Sequence, residues 1–447
     1  MTGKHRWRQL ASFGVVAVFA MALIACNKSY PNTTFLPKTE FSRASDDLWD
    51  LLLLLGTIVF VLVEGILIFV VFKYRHRGGD QKPPQTHGNT TLEILWTLIP
   101  AVILVFIAVP TVKTIFYTQK AAAPGSLNVE VIGHQWWWEF RYPEYGIVTA
   151  NEIYLPVGRT VNFTLHSADV IHSFWTPQLG GKRDVVTNRT NHIWYTPDST
   201  LKSAVWNGFC AEYCGDSHAN MKFRVFTVQP AEFASWVAGQ KLAAAYGAVA
   251  PATAVNPPTA GEPLSSGTGS VAGTRPAEPA TQNPAGSPGI QEVGTATGTA
   301  AQPIAASTPG YVFPREQIPS WAVPHAPLPK GLAWNASLVG DPARGQQLYS
   351  SNACIGCHTI SGNPMSMGVI GPNLTHFGSR YTLAAGTYPN DTQHLALWIK
   401  NARKMKPGSI MPSLGKGEYD PGMKTTLSMG LDDQQIADIV AYLQALK

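Results

Sequence analysis

The chain has 447 residues, roughly three domains' worth, and only 14% of them are charged, against about 25% in an average soluble protein. Apolar membrane-length runs must therefore coexist with a polar tract, which excludes a single soluble globule. The net charge of +5 is local: Lys4, Arg6, Arg8, Lys73, Arg75, Arg77 and Lys82, less Asp80, already give +6 beside the apolar runs and leave −1 for the rest of the chain. Charges so placed orient a membrane protein and leave no nucleic-acid footprint.

Residues 1–25 carry basic residues, then an apolar run to Ile24, and read as an export signal. Leu23-Ile24-Ala25-Cys26 resembles a bacterial lipobox, which implies a lipid-modified N-terminus at Cys26; an ordinary signal or an uncleaved helix is the competing reading. Residues 26–120 are expected to form a transmembrane hairpin with helices at about 48–72 and 92–117. Leu51–Phe72 spans about 33 Å as a helix, enough to cross the hydrocarbon core. Ile94–Val112 is a second span, carrying Pro100 and Pro110. The basic run Lys73–Arg77 between them belongs in the cytoplasm, so everything after the second span lies on the export side. Glu64 lies within the first span and Glu93 opens the second; a carboxyl at that depth faces protein or water, which points to a partner subunit.

Over 121–241 the period changes to two. Val161, Phe163 and Leu165 alternate with Asn162, Thr164 and His166, and Ile193–Tyr195 and Lys222–Val228 also read as strands. Turn signals separate these strands, and no helical stretch intervenes, as in a β-sandwich or Greek-key barrel. Residues 242–328 are expected to be a disordered linker: 45 of the 60 residues 251–310 are Gly, Pro, Ala, Ser or Thr, and none is aromatic. Such a tract buries too little apolar surface to offset its ordering entropy, and its reach as a coil is about 50 Å. Over 329–447 a small helical domain is expected. Asp341-Pro342 reads as a cap with proline at the first helical position, and Asp432 with Gln435 as a capping box. Ile436, Ile439, Val440 and Leu443 then form one stripe.

The five cysteines do not form a disulfide scaffold: one ends the leader, two are spaced Cx3C, and two are CxxC followed by His. Cys210, Cys214, His218 and Met221 fall within twelve residues, a soft donor set that suits electron-transfer copper. A second imidazole must come from elsewhere; His172 is the best candidate and His166 its nearest rival. A Cys210–Cys214 disulfide and a zinc site compete with this reading, but His218 and Met221 at fixed offsets argue for copper. Cys354-Ile355-Gly356-Cys357-His358 is a covalent c-haem motif, with two thioethers and a proximal imidazole. A His/Met pair would raise the haem's potential, and Met365, Met367, Met405, Met411, Met423 and Met429 are available for the second position.

Over about residues 40–235 the chain resembles subunit II of the haem-copper cytochrome c oxidases, in its C-x-E-x-C-x3-H-x2-M loop, in Gly133-His134-Gln135-Trp136-Trp137-Trp138 and in Thr91–Ala101. The resemblance implies that Cys210 and Cys214 bridge two copper ions as a binuclear CuA centre. It further implies that His172 and His218 each cap one copper, that Met221 is a weak ligand, and that the Glu212 carbonyl completes the set. The Glu212 side chain would reach a magnesium ion shared with subunit I, Trp136 would receive the incoming electron, and Glu93 would lie near the mouth of a proton pathway. His134 is expected to be a structural hydrogen-bonder. Thr187-Asn188-Arg189 departs from the family's common Pro-Gly-Arg. Lys406–Pro412 resembles the distal-Met loop of class I cytochromes c, which implies Met411 as the second haem ligand, with Met405 next.

The whole chain resembles oxidases whose subunit II carries its own cytochrome c. That implies a multidomain protein: a two-helix transmembrane hairpin, an all-β cupredoxin-like Greek-key barrel, a disordered linker and an all-α cytochrome c domain. It implies an electron-entry subunit of a proton-pumping cytochrome-c oxidase in a bacterial inner membrane, partnered by subunits I and III. The donor would be an external cytochrome or a quinol–cytochrome c reductase. A copper chaperone is a rival of another class, although neither a local His/Met pair nor a c-haem suits exchangeable metal. Service to nitric oxide reduction is a second rival, and quinol-oxidising relatives lack these copper ligands.

Overall fold

The computed structural model describes residues 30–75, 78, 85, 87–244 and 310–447. The leader with Cys26 and the greater part of the expected linker lie outside the described residues. Among the described residues, two helices are long and apolar enough to cross a membrane: α1 (Glu40–Tyr74) and α2 (Thr90–Gln119). Both outrun the expected spans. α1 starts at Thr39, whose hydroxyl accepts from Ser42 N and donates to Leu179 O. Phe41, 4% exposed, packs edge-on against Trp194 and Tyr195, and Arg43 pairs through two 2.7 Å bonds with Asp198. The first turn of the membrane helix is thus built into the barrel.

The barrel comprises β1 (Leu127–His134), β2 (Trp137–Tyr142), β3 (Ile147–Ala150), β4 (Glu152–Pro156), β5 (Val161–Ser167), β6 (His172–Trp175), β7 (Arg183–Val185), β8 (Asn191–Tyr195), β9 (Ala204–Cys210) and β10 (Lys222–Val228). These form two five-stranded sheets, ordered β3-β2-β1-β5-β8 and β4-β10-β9-β6-β7. The β1/β5 and β4/β10 pairs are parallel, and the neighbouring β1/β2 and β9/β10 pairs are antiparallel. On β5 the expected alternation holds: Val161, Phe163 and Leu165 are buried. Rings from both sheets meet in the core, with Phe174–Phe223 at 4.8 Å, Phe163–Phe174 at 5.3 Å and Trp138–Phe223 at 5.6 Å. A short helix α3 (Pro230–Gln240) closes one end, placing Trp236 against Tyr154 at 4.8 Å.

The expected linker boundary at 328 is corrected. Residues 310–322 pack on the barrel, with two 3-10 turns at Arg315–Gln317 and Ser320–Ala322, while Ala326 already packs on the C-terminal domain. Phe313, 1% exposed, joins the barrel core 5.2 Å from Phe226, and Ala322 O accepts from Arg224 Nε. Composition turns at Tyr311: Phe313, Ile318 and Trp321 supply the apolar surface that the Gly/Pro/Ala tract lacks. Residues 242–244 are ordered too, with Ala244 N donating to Ser361 O.

The C-terminal domain pairs α4 (Pro342–Ser351) with α8 (Asp433–Ala445), supported by α5 (Cys354–Cys357), α6 (Thr392–Lys400) and α7 (Ala402–Met405). Asp341 caps α4 and Asp432 with Gln435 boxes α8, at the positions the motifs indicated. Gly340 and Gly345 permit close crossing, since a Cβ on either would fall within about 2 Å of a carbonyl oxygen of α8. The stripe Ile436, Ile439, Val440 and Leu443 is buried. The barrel and this domain belong to one compact unit.

Candidate metal centre and haem cleft

The donor loop runs between β9 and β10, closed by Cys210 N donating to Met221 O. The β-strand pairing of β6 with β9 brings His172 to the same end. The two thiols are free, with their sulfurs 3.7 Å apart, far beyond the bonded S–S length of about 2.05 Å. Each sulfur has its own imidazole: His172 Nδ1 lies 3.8 Å from Cys210 Sγ, and His218 Nδ1 lies 3.6 Å from Cys214 Sγ. Met221 Sδ is 3.9 Å from Cys214 Sγ, and the Glu212 carbonyl is 3.3 Å from Cys210 Sγ. Two thiolates, two imidazoles, one thioether and one carbonyl fit a soft metal, and their pairwise arrangement gives each end of the cluster a nitrogen donor. His172, Cys214 and Met221 are buried. Gly133 makes room for the His172 ring, which a Cβ would approach to 2.7 Å.

The two thiols compete for charge. The Cys214 hydrogen bond pulls Cys210 down, and the neighbouring Cys210 sulfur, together with burial, pushes Cys214 up. A cation between them removes the conflict and allows both to ionise. Asp169, which sequence reasoning missed, accepts from His172 Nε2 at 2.8 Å and from Gln135 N at 2.6 Å. Burial pushes Asp169 up, but the hydrogen bonds from His172 and Gln135 outweigh it and hold the carboxyl below its ordinary range. Its one sequence signal is the Asp-x-x-His spacing to His172. Cys214 O in turn accepts from Gln135 Nε2 at 2.8 Å and from Trp136 Nε1 at 2.9 Å.

The second site is an apolar cleft. Cys354 and Cys357 stand on α5, and His358 Nδ1 lies 2.8 Å from Pro372 O, so Nε2 is left for a metal. Burial pushes His358 below its ordinary value and keeps the ring neutral. Cys354, Cys357, His358, Trp398 and Met411 line the cleft, and so do Gln135 and Trp136 from the barrel. Two thiols, an imidazole and a thioether around an apolar slot fit a covalent c-haem. Met405 is instead buried in the helical core, and Met365, Met367, Met423 and Met429 are exposed.

The remaining candidates lie elsewhere. His166 sits on β5 with its Nδ1 3.5 Å from Thr190 Oγ1, outside the donor cluster. His134 lies 3.1 Å from Glu139 Oε2 and stacks on Trp137. Glu93 is in the first turn of α2, and the Glu212 side chain is exposed. Asn188 has φ +60, a left-handed conformation that Asn tolerates better than other residues bearing a Cβ.

Fold and clusters together define a membrane-anchored electron-transfer protein with an outward domain. The family described as "Cytochrome C oxidase subunit II, transmembrane domain" matches residues 39–114, its periplasmic-domain counterpart matches 146–228, and "Cytochrome c" matches 342–447. The chain is 35% identical over 466 residues to cytochrome c oxidase subunit 2 of Bacillus sp. (strain PS3), covering 100% of this chain and 99% of that one. It is 28% identical over 447 residues to the same subunit of Alkalihalophilus pseudofirmus, covering 99% and 98%. Among solved structures, the periplasmic domain of subunit II of cytochrome oxidase of Bradyrhizobium japonicum is 31% identical, with 27% of this chain and 97% of that chain covered and a TM-score of 0.25.

The chain belongs to the cytochrome c oxidase subunit 2 family, in the form that carries a fused cytochrome c domain. It is a subunit of an oxidase complex, associated with the other oxidase subunits. The matched domains imply copper and haem.

Proposed function

We propose that this subunit accepts electrons from an external cytochrome or reductase donor and relays them singly, from a covalent c-haem to a binuclear copper centre and on to subunit I, for oxygen reduction coupled to proton pumping. The observation that carries this reading is that Trp136 serves both sites: its ring lines the haem cleft while its Nε1 donates to Cys214 O. Once bound, the haem and the copper pair supply one-electron redox chemistry.

The chain's own residues have distinct tasks. Cys354 and Cys357 would tether the haem edge, with His358 and Met411 at the iron. Cys210 and Cys214 would bridge the copper ions, capped by His172 and His218, with Met221 and the Glu212 carbonyl as weaker donors. Burial of His172, Cys214 and Met221, with His172 braced by Asp169, suits a resident metal better than the exchangeable metal of a chaperone. The exposed Glu212 carboxylate is assigned to a magnesium ion shared with subunit I, Glu93 to the mouth of a proton pathway, and Cys26 to a lipid anchor.

The test is Cys214→Ser in the purified oxidase. The mixed-valence copper EPR signal should vanish while the haem absorption spectrum stays intact; an unchanged copper signal would refute the bridging role.

A further inference from the structure

Resting on that reading, we propose that Glu152 and Lys406 are positioning residues that latch the haem domain onto the copper domain in one register. The latch, rather than the connecting segment, would then set the geometry of electron transfer between the two sites. Glu152 opens β4 in the barrel and is 3% exposed. Its Oε1 accepts three bonds from the haem domain: from Tyr381 N at 2.8 Å, Thr382 N at 2.9 Å and Thr382 Oγ1 at 3.0 Å. Lys406 belongs to the haem domain and is also 3% exposed. Its Nζ donates across the boundary to Trp136 O at 2.6 Å and within its own domain to Ala384 O at 3.1 Å.

Burial pushes the Glu152 carboxyl up and the Lys406 amine down to about 7, so both groups stand where their charged forms are disfavoured. Buried polar groups of this kind add little net stability, because desolvation opposes them. What they add is discrimination, since a slipped register strands each one without partners. Close packing reinforces the choice. A Cβ on Gly408, whose φ is +80, would lie 2.5 Å from the Trp136 ring. Ser217, buried beside His218, donates to Pro407 O. Phe226 packs on Tyr381 at 5.4 Å from the other side of the boundary. Lys406, Pro407 and Gly408 thus seat one turn of the haem domain on Trp136 and on the donor loop. The transfer itself moves one electron, the haem iron being oxidised and the copper site reduced by one equivalent, and no bond or proton need move.

The experiment uses the intact oxidase with two readouts: amide hydrogen exchange at Tyr381 and Thr382, and the rate of haem reoxidation after flash photoreduction. In the unaltered protein both amides should be protected. Glu152→Ala should release them, leave the β1 amides protected, and slow transfer, because a lost register lengthens the gap the electron must cross. Haem absorption and copper EPR should not change. Glu152→Gln, which retains an acceptor oxygen, should restore protection and rate. Lys406→Met is the second probe and should slow transfer likewise. Rapid exchange at these amides in the unaltered oxidase would overturn the latch, and so would a full transfer rate in Glu152→Ala or in Lys406→Met. If haem or copper signals were missing from the unaltered protein, the proposed function would fall instead, and the latch would be judged on exchange alone.

Discussion

Asp169 links two features that lie far apart in the chain. One carboxylate oxygen fixes the His172 ring through Nε2, so that Nδ1 is directed to the sulfur cluster, and the other holds the backbone of Gln135 beside Trp136. Partners of ligating imidazoles typically govern metal affinity by about 10–100-fold, and Asp169→Ala should weaken copper binding in that range. Competition with a copper chelator, followed by EPR, measures this; unaltered affinity would mean that the imidazole is positioned by packing alone. The candidate donors could be picked out because four of them crowd into residues 210–221, and the proposed haem motif is contiguous. Asp169 was present in the sequence only as a spacing. Glu152 and Lys406 could not be read at all, because their partners lie 230 and 270 residues away and are largely main-chain atoms.

Elements whose burial follows a local period were equally open to reading. The α8 stripe and the β5 alternation have one apolar face each, and a one-residue shift would bury the polar side. The end of the linker was not legible in this way. Tyr311–Trp321 has neither period and earns its order from contact with the barrel, chiefly through Phe313 inserted beside Phe226. Removing a buried aromatic ring typically costs about 3–5 kcal/mol. Phe313→Ala should therefore destabilise the barrel by about that amount, read as a lower denaturant midpoint in the detergent-solubilised protein. Little or no shift would show that the Phe313 ring contributes no stability to the barrel.

At the scale of the whole molecule, composition alone suggests a haem domain roaming on a tether, whereas the described residues place it against the barrel. Both pictures make the linker permissive, because closure entropy grows only as the logarithm of length; each doubling adds about 0.6 kcal/mol. Inserting twenty Gly/Ser residues within 251–300 should change steady-state turnover by no more than about threefold. A steep loss of turnover would identify the tract as a rigid spacer.

The joint at the start of α1 has a further consequence. At 35 residues the helix is about 52 Å long, while the hydrocarbon layer is about 30 Å thick, so about 20 Å of it remains for the journey to the barrel. That stalk is capped by Thr39, wedged by Phe41 and bolted by Arg43 to Asp198. A barrel mounted on such a mast cannot swivel freely above the lipid, and α2, whose Tyr117 packs edge-on against Trp194 at 5.7 Å, shares in setting its altitude over the bilayer.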